Sequence, residues 1–289
     1  MFAALLSSCG RRSTALVAVG LTLLGAPAYA QSKAAFPWAA SLGGQINFLT
    51  ARDHALLLRT RLDRSFDTDY NALGRTTGGG PLQRVTVLAG FEWLLSERWS
   101  GGIIENFSFD PGPTRTFQSG GFLRHSGHIG SVRFRKRAVG EHIAVVNATS
   151  REPNAGRIRF RADLDRTWHA GALGLRPRVA YEVQFDVSLQ KQDAATKSTQ
   201  RTVDFAVLRA ELAVELTERL SIVPYVLRLT RFITAIEQRD AEGNIKVPAG
   251  ARNLRFPTVG VDVRYTLPIG TTRASPATRD LPTFEGYQD

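Results

Sequence analysis

Apolar and polar residues alternate one by one along much of the chain. In the clearest stretch, Leu175 to Leu189, Val179 and Tyr181 share one parity while Arg176 and Arg178 share the other. Alternation with a period of two indicates a β-strand with one apolar and one polar face. A strand of a soluble domain usually has about five or six residues, whereas a tilted membrane-spanning strand needs about nine to eleven, and this stretch is long enough for the second class. The pattern therefore predicts membrane-spanning strands.

Ten such strands can be placed along the chain, separated by polar links. We therefore predict an all-β fold, an antiparallel transmembrane up-and-down β-barrel of about ten strands that occupies residues 54–267. The alternation slips by one residue near 206–208 and near 225–227, which we interpret as β-bulges. The predicted strands are 54–66, 82–95, 98–109, 115–126, 130–139, 156–167, 173–189, 201–217, 219–237 and 252–267.

Short and long links alternate between these strands. An outer-membrane barrel has short periplasmic turns and longer external loops, so the alternation favours that class. An even number of strands would place both ends of the barrel on the periplasmic side. Residues 31–53 are then an N-terminal periplasmic or plug segment, in which 42–48 either plugs the barrel or extends its first strand, and 268–289 a flexible periplasmic tail. The short links are 95–99, 126–130, 168–174 and 216–220, and the long ones are 67–81, 110–113, 140–155, 190–200 and 238–250.

The first thirty residues have the features of an export signal. Arg11 and Arg12 precede an apolar run from Ser13 to Gly25, and the small-residue pattern Ala28-Tyr29-Ala30 follows. A charged start, a short apolar run and a small-residue cleavage site are typical of a secretory signal peptide. We therefore predict a signal peptide at 1–30 and a location in the bacterial outer membrane. Cys9, the one cysteine of the chain, would be removed with it.

The chain is basic, with a net charge of +11, and only five of its 37 basic residues are lysine. Such an excess is typical of nucleic-acid-binding proteins. Here the arginines recur at alternate positions within apolar strands and do not cluster in a tail or on a helix. We therefore expect no nucleic-acid partner.

Alternation alone does not say which face of the strands points inward. A soluble lipocalin-like barrel would place the arginines in water and the apolar face inside. In a bilayer, an arginine that faces lipid near the midplane costs about 2–4 kcal/mol, and several per strand would exceed a domain stability of about 5–15 kcal/mol. In an outer-membrane barrel the arginines must therefore line the interior, while the apolar residues face outer-membrane lipid.

The charged residues of the polar face are the candidate ligand-binding residues. They can form a paired structural network, because buried charges persist only when they are paired and hydrogen-bonded. They can also form a narrow anion-preferring pore or a pocket for small anions, since guanidinium groups bind carboxylates and phosphates with two parallel hydrogen bonds. We expect neither a cofactor nor a metal ion, and no residue is predicted to be catalytic. The candidates are Arg59, Arg61, Arg133, Arg135, Arg157, Arg159, Arg176, Arg178, Asp163, Asp165, Glu182 and Asp186.

The last predicted strand resembles the insertion signal of outer-membrane barrels. That signal is a polar residue, a glycine and two outward apolar or aromatic residues. The resemblance implies recognition by the barrel-assembly machinery. The matching residues are Thr258, Gly260, Val263 and Tyr265.

Over most of its predicted mature length the sequence resembles uncharacterised outer-membrane barrel families described from Bacteroidota. These families have a Glu-Arg-Trp turn before a strand and strands of the Arg-x-Arg type. The matching segments are Glu97-Arg98-Trp99, Arg133-Phe134-Arg135 and Arg157 to Arg161. The resemblance implies a fold and a location, and it assigns no activity.

Three functional hypotheses follow from the sequence. The first is a non-enzymatic outer-membrane barrel that acts as a structural or interaction protein or as a narrow pore. The second is an outer-membrane hydrolase acting on lipid or peptide, for which His125-Ser126-Gly127-His128 is the local cluster with suitable side chains. The third is a soluble periplasmic lipid-binding barrel.

Overall fold

The computed structural model describes most of the chain between its two ends, and every regular element in it is a β-strand. The described residues from Lys33 onward belong to one compact unit, to which the description below applies. The predicted signal peptide and the predicted tail from residue 270 onward lie outside the described residues. Among those residues, no helix is long and apolar enough to cross a membrane. The described residues are 32–50, 54–66, 82–109, 115–146, 155–171, 173–188, 203–235, 238–239, 242–247 and 250–269.

Eleven long strands close into one barrel, which confirms the all-β barrel expected from the sequence. Short strands β1 and β9 pair beside the barrel strands β15 and β10, and β13 pairs with β14. In chain order the strands are β1 (Ser32–Ala35), β2 (Ala39–Thr50), β3 (Ala55–Ser65), β4 (Leu82–Leu94), β5 (Trp99–Phe109), β6 (Arg115–Ile129), β7 (Val132–Val146), β8 (Ala155–Asp165), β9 (Trp168–Ala170), β10 (Leu173–Ser188), β11 (Phe205–Glu215), β12 (Leu220–Ala235), β13 (Gln238–Arg239), β14 (Ile245–Val247) and β15 (Gly250–Ile269).

The barrel closes through a parallel pair of strands. β15 lies beside β2, from Thr258 opposite Ala39 to Ile269 opposite Thr50, whereas every other neighbouring pair of barrel strands is antiparallel. An odd number of strands requires this, because successive antiparallel neighbours reverse direction and the eleventh runs the same way as the first. The first strand of the barrel therefore begins at one end and the last strand finishes at the other, and the expectation that both lie on one side is wrong.

The additional strand is β2, in the region expected to be a plug or an extension of the first strand. Its residues alternate between buried and more exposed positions, with Ser41 and Gln45 inside and Leu42 and Ile46 outside. The inward residues of β2 are small or uncharged, so the sequence lacks the arginine alternation that marks the other strands. The remaining ten strands match the predicted ones, and all but one of their ends lie within four residues of the prediction. The exception is β7, which continues to Val146, so the first half of the long link expected at 140–155 is strand.

Tight turns join the strands at one end of the barrel. In two of them a backbone amide donates across the turn, from Leu95 to the Trp99 carbonyl at 2.9 Å and from Leu216 to the Leu220 carbonyl at 3.0 Å. The turn expected at 126–130 lies further along, because β6 continues to Ile129. Gly130 makes that turn with a φ of 61°, a conformation that glycine adopts without a steric penalty.

The two expected β-bulges are absent from the described pairing of β11 with β12 and of β12 with β15, which stays in register through both places. The alternation is obscured there because the inward residues are themselves apolar. They form a buried cluster with Phe256 of β15, and a second apolar cluster lies inside β2 to β7. Among the described barrel pairings, the register shifts between Asp63 and Arg64. The inward members on β11 and β12 are Phe205, Val207, Tyr225, Leu227 and Leu229.

Candidate functional site

The interior of the barrel is charged and its outer surface is apolar. On β3, Arg59 is 4% exposed, whereas its apolar neighbours Leu56 and Leu58 are 46% and 44% exposed. The same division recurs on most barrel strands, because successive side chains of a strand point to opposite faces. The arginines therefore line the interior, and the orientation is the opposite of the one required by a soluble lipid-binding barrel.

One cluster of interior charges spans the closing pair of strands and is called the seam cluster here. The Asp262 carboxylate receives Arg59 Nη2 at 3.0 Å and Arg209 Nη2 at 3.0 Å, and Arg264 Nη2 lies 3.6 Å away. Arg209 Nε also donates to Glu211 at 2.7 Å. The seam cluster thus links β3, β11 and β15 across the barrel closure.

The position of Asp262 depends on the glycine that faces it on β2. Asp262 pairs with Gly43, and a Cβ atom on Gly43 would collide with the Asp262 carboxylate. The missing side chain lets this carboxylate pass over β2 and reach Arg59 on β3. The structure therefore gives Gly43 a specific role in the seam cluster.

A second group of interior charges lies on β7, β8 and β10 and is called the wall cluster here. Arg159 Nη2 donates to Glu141 at 2.6 Å and its Nη1 to Glu182 at 3.1 Å. Arg137 Nη2 donates to the other oxygen of Glu182 at 3.0 Å. All four side chains are almost inaccessible to solvent, so the pairs are shielded from water and from screening by salt.

Further charge pairs lie towards the two ends of the interior. Near the tight turns, Asp165 receives Arg133 at 2.6 Å and Arg135 at 2.5 Å. Near the long links, Arg157 binds Asp186 at 2.5 Å. The backbone amide of Asp186 donates to Asp204, just outside β11, at 2.7 Å, and burial raises the pKa of the Asp204 carboxyl despite that hydrogen bond.

The structure distributes the twelve predicted site residues among several clusters rather than one binding site. Ten are buried, while Arg133 is partly accessible and Asp186 is exposed. Arg178 meets Glu211 of the seam cluster at 2.5 Å, and Arg61 pairs with Asp63 at 2.7 Å. Arg176 lies 3.9 Å from Glu215. A role of these residues in binding a small anion stays a prediction.

The sequence reasoning missed several of the most connected interior charges. They follow the same alternation as the predicted residues. The odd or even position of each residue along its strand could therefore have identified them. On β11 the signal is weaker, because the neighbouring inward positions Phe205 and Val207 are apolar. The missed residues are Arg124, Arg137, Glu92, Glu141, Arg209, Glu211, Asp262 and Arg264.

Side chains fill the described part of the barrel interior. Glu182 and Arg209 are each 1% exposed and Thr258 is fully buried, although all three lie on inward positions. Residues that line an open channel would be accessible to water. The described interior therefore contains charge pairs and apolar side chains in contact, not a continuous opening. Its buried charges include thirteen arginines and eight carboxylates, so positive charge is in excess.

A row of polar side chains crosses three adjacent strands on the outer surface. Glu105 of β5 pairs with Ser119 of β6, which pairs with His142 of β7. The Ser119 hydroxyl donates to Glu105 Oε2 at 2.5 Å, and all three residues are exposed. By contrast, His125 and His128 are three residues apart on β6, so they point to opposite faces of the strand and do not form one site.

The residues of the predicted insertion signal lie on β15. Thr258 and Gly260 are on the inward side, while Val263 and Tyr265 are exposed on the outer surface.

Compared with known proteins, the chain matches no family model, no curated protein and no solved structure. The resemblance to the Bacteroidota families and recognition by the assembly machinery stay predictions.

Proposed function

We propose that the chain is a bacterial outer-membrane β-barrel that acts as a closed structural or interaction protein and does not conduct. The observation that carries the proposal is the combination of an apolar outer surface with an interior filled by paired charges. Large exposed apolar areas mark surfaces that meet lipid or another protein. In a membrane, lipid chains would cover this apolar surface around the whole barrel.

The aromatic residues support a membrane location. In transmembrane barrels, aromatic side chains form a girdle at each interface, above and below the apolar band. Here exposed aromatic residues occur close to both ends of the strands. Near the tight turns they are Trp93, Trp99 and Trp168, and near the long links they are Trp38, Phe66 and Phe109.

The filled interior supports a closed barrel over a pore. Arg159, Glu182 and Glu141 are connected by hydrogen bonds of 2.6–3.1 Å and have side chains that are 1% exposed. Breaking such a buried pair is costly, about 3–5 kcal/mol, so ions would not easily displace it. The excess of arginine stabilises acidic partners inside the barrel without providing an anion path.

The proposal is tested by fractionation followed by electrical recording. We expect the full-length protein in the outer-membrane fraction, extractable only with detergent, with a faster gel mobility when unboiled. In planar bilayers it should give no conductance steps under either an anion or a cation gradient. Release by osmotic shock would contradict the membrane location, and reproducible anion-selective steps would favour the pore.

A second candidate function is hydrolysis of a lipid or peptide bond at the outward row of Glu105, Ser119 and His142. A serine nucleophile requires a neighbouring base, and residues directly opposite on paired strands have Cβ atoms about 4.5–5.5 Å apart. Ser119 has a carboxylate on one side and an imidazole on the other, and the row faces the surface where lipid would lie.

The second candidate is tested with phospholipids and short-chain esters in mixed micelles. Turnover by the wild-type protein should be lost in the Ser119→Ala variant and retained in Ser126→Ala, a control on the same strand outside the row. Absence of turnover in the wild-type protein, or full activity of Ser119→Ala, would exclude this site as a hydrolase.

A further inference from the structure

A groove of about 500 Å³ crosses the outer surface of the barrel from β5 to β8. Two consecutive rows of paired residues form it. In one row Ala138 of β7 lies between Leu123 of β6 and Phe160 of β8. The short alanine side chain between two large apolar ones leaves a depression, which Ala162 of β8 extends. The volume lies within the range of about 300–1,000 Å³ that is usual for small-molecule sites.

The second row gives the groove a cationic end. Trp99 pairs with His125, and His125 pairs with Lys136. The rings of Trp99 and His125 meet edge to face with centroids 4.8 Å apart. Trp99 is the first residue of β5 after a tight turn, so this row begins at the end of the barrel wall.

Lys136 points towards that same end. Its Nζ lies over the ring of Phe134, 5.2 Å from the centroid, and Phe134 is two residues nearer the turn between β6 and β7. Long basic side chains in membrane proteins bend in this way to bring the charge to the interface. Lys136 is the only lysine on the eleven barrel strands, and no described carboxylate forms an ion pair with it.

We propose that this groove binds one anionic phospholipid, with an acyl chain along Ala138 and Ala162 and the phosphate at Lys136 and His125. The inference rests on the membrane location proposed above. The apolar floor suits a hydrocarbon chain, and the exposed ammonium group of Lys136 attracts an anion at the interface. Trp99 lies at the level of the lipid headgroup, where its amphipathic ring is favoured.

The charge contribution is tested by native mass spectrometry of the full-length protein in micelles with equal phosphatidylglycerol and phosphatidylethanolamine. We expect the wild-type protein to retain one phosphatidylglycerol molecule in preference. Lys136→Gln should lower that retention about five-fold, the effect of one basic residue near an anionic surface. The matched control is Arg228→Gln, which removes an exposed outward cation of β12 that is not in the groove and should leave retention unchanged.

The shape contribution is tested without changing charge. Ala138→Phe fills the groove and should reduce retention of both phospholipids, while unboiled gel mobility confirms that the variant barrel is folded. Equal retention of the two lipids by the wild-type protein, or unchanged retention in both groove variants, would overturn the proposal. A groove that instead holds a second copy would appear as a lipid-free dimer that Ala138→Phe dissociates.

If the protein is not in a membrane, the result differs from that of a missing lipid site. In that case the wild-type protein would stay monomeric and soluble without detergent and would bind no vesicles of either lipid. If the protein needs detergent, does not conduct and retains both lipids equally, the proposed function stands. That result contradicts the lipid site alone.

Discussion

The seam cluster and the wall cluster bury similar numbers of charges but balance them differently. In the seam cluster one carboxylate, Asp262, serves Arg59, Arg209 and Arg264. In the wall cluster Arg159 lies between two carboxylates, Glu141 and Glu182. With Glu211, the seam cluster has three arginines for two carboxylates, whereas the wall cluster, with Arg137, has two of each. The first is therefore rich in cations and the second is balanced.

This difference matters because the two kinds of charge respond differently to the loss of a partner. A buried carboxylate that loses its partner can take up a proton and become neutral. A guanidinium group is not deprotonated in proteins and keeps its charge. A barrel with an arginine-rich interior therefore depends most on its few shared carboxylates.

The largest effect is expected when the shared carboxylate of the seam cluster is removed. Asp262→Asn leaves three buried guanidinium groups without their common partner and should lower the free energy of unfolding by about 3–5 kcal/mol. Urea unfolding of the refolded barrel in detergent micelles, followed by tryptophan fluorescence, measures this loss. A loss as small as that of an exposed substitution would show that the three arginines have other sufficient partners.

Removing the central arginine of the wall cluster should cost less. Arg159→Gln leaves Glu141 without its partner, but this carboxylate can become neutral by taking up a proton. The loss should therefore lie at the lower end of the about 3–5 kcal/mol that breaking a buried pair costs. Because the carboxylate can be protonated, the difference from the wild-type protein should shrink as the pH falls. The same unfolding experiment at neutral and acidic pH tests both points, and a difference that grows in acid would contradict the argument.

The geometry of the seam cluster can be disturbed without removing a charge. Gly43→Ala places a methyl group where the Asp262 carboxylate lies, and overpacking of this kind costs about 1–3 kcal/mol. Gly140→Ala is the matched control, since a Cβ atom at Gly140 meets nothing within 4 Å. Equal stability of the two variants would show that Asp262 reaches Arg59 by another route.

The smallest effect is a partial rescue. When Asp262→Asn is combined with Arg59→Gln, one of the uncompensated cations disappears, and about 1 kcal/mol of the lost stability should return, as expected for coupled neighbours. A double-variant cycle on the unfolding free energy measures this coupling. Strictly additive losses would indicate that Arg59 and Asp262 contribute independently despite their 3.0 Å contact.

Much of the architecture could be predicted from local patterns. The fifteen-residue alternation around Tyr181 gave β10 nearly in full, and the predicted tight link at 216–220 is a turn in the structure. β2 was expected only as a plug or as an extension of the first strand, because its inward residues include Gly43 and other small or uncharged residues. The apolar inward run at Phe205 and Val207 was interpreted as a bulge for a related reason, since both faces of the strand are apolar there.

The candidate site was predictable in its chemistry but not in its connections. The alternation of side chains along each strand placed Arg59 and Arg159 inside the barrel. It could not pair Arg59 with Asp262, which is 203 residues away in sequence, or place Ser119 between Glu105 and His142. Pairs of this kind depend on which strands become neighbours, and single-strand periodicity contains no information about that.

The sequence by itself determined the two faces of most strands, because side chains of an extended chain point alternately to opposite sides. Only the tertiary structure decided the number of strands, the parallel closure of β15 on β2 and the shared carboxylate at Asp262. These features arise when distant segments meet around a closed ring. There, the register of every strand pair fixes which inward charges come within hydrogen-bond distance.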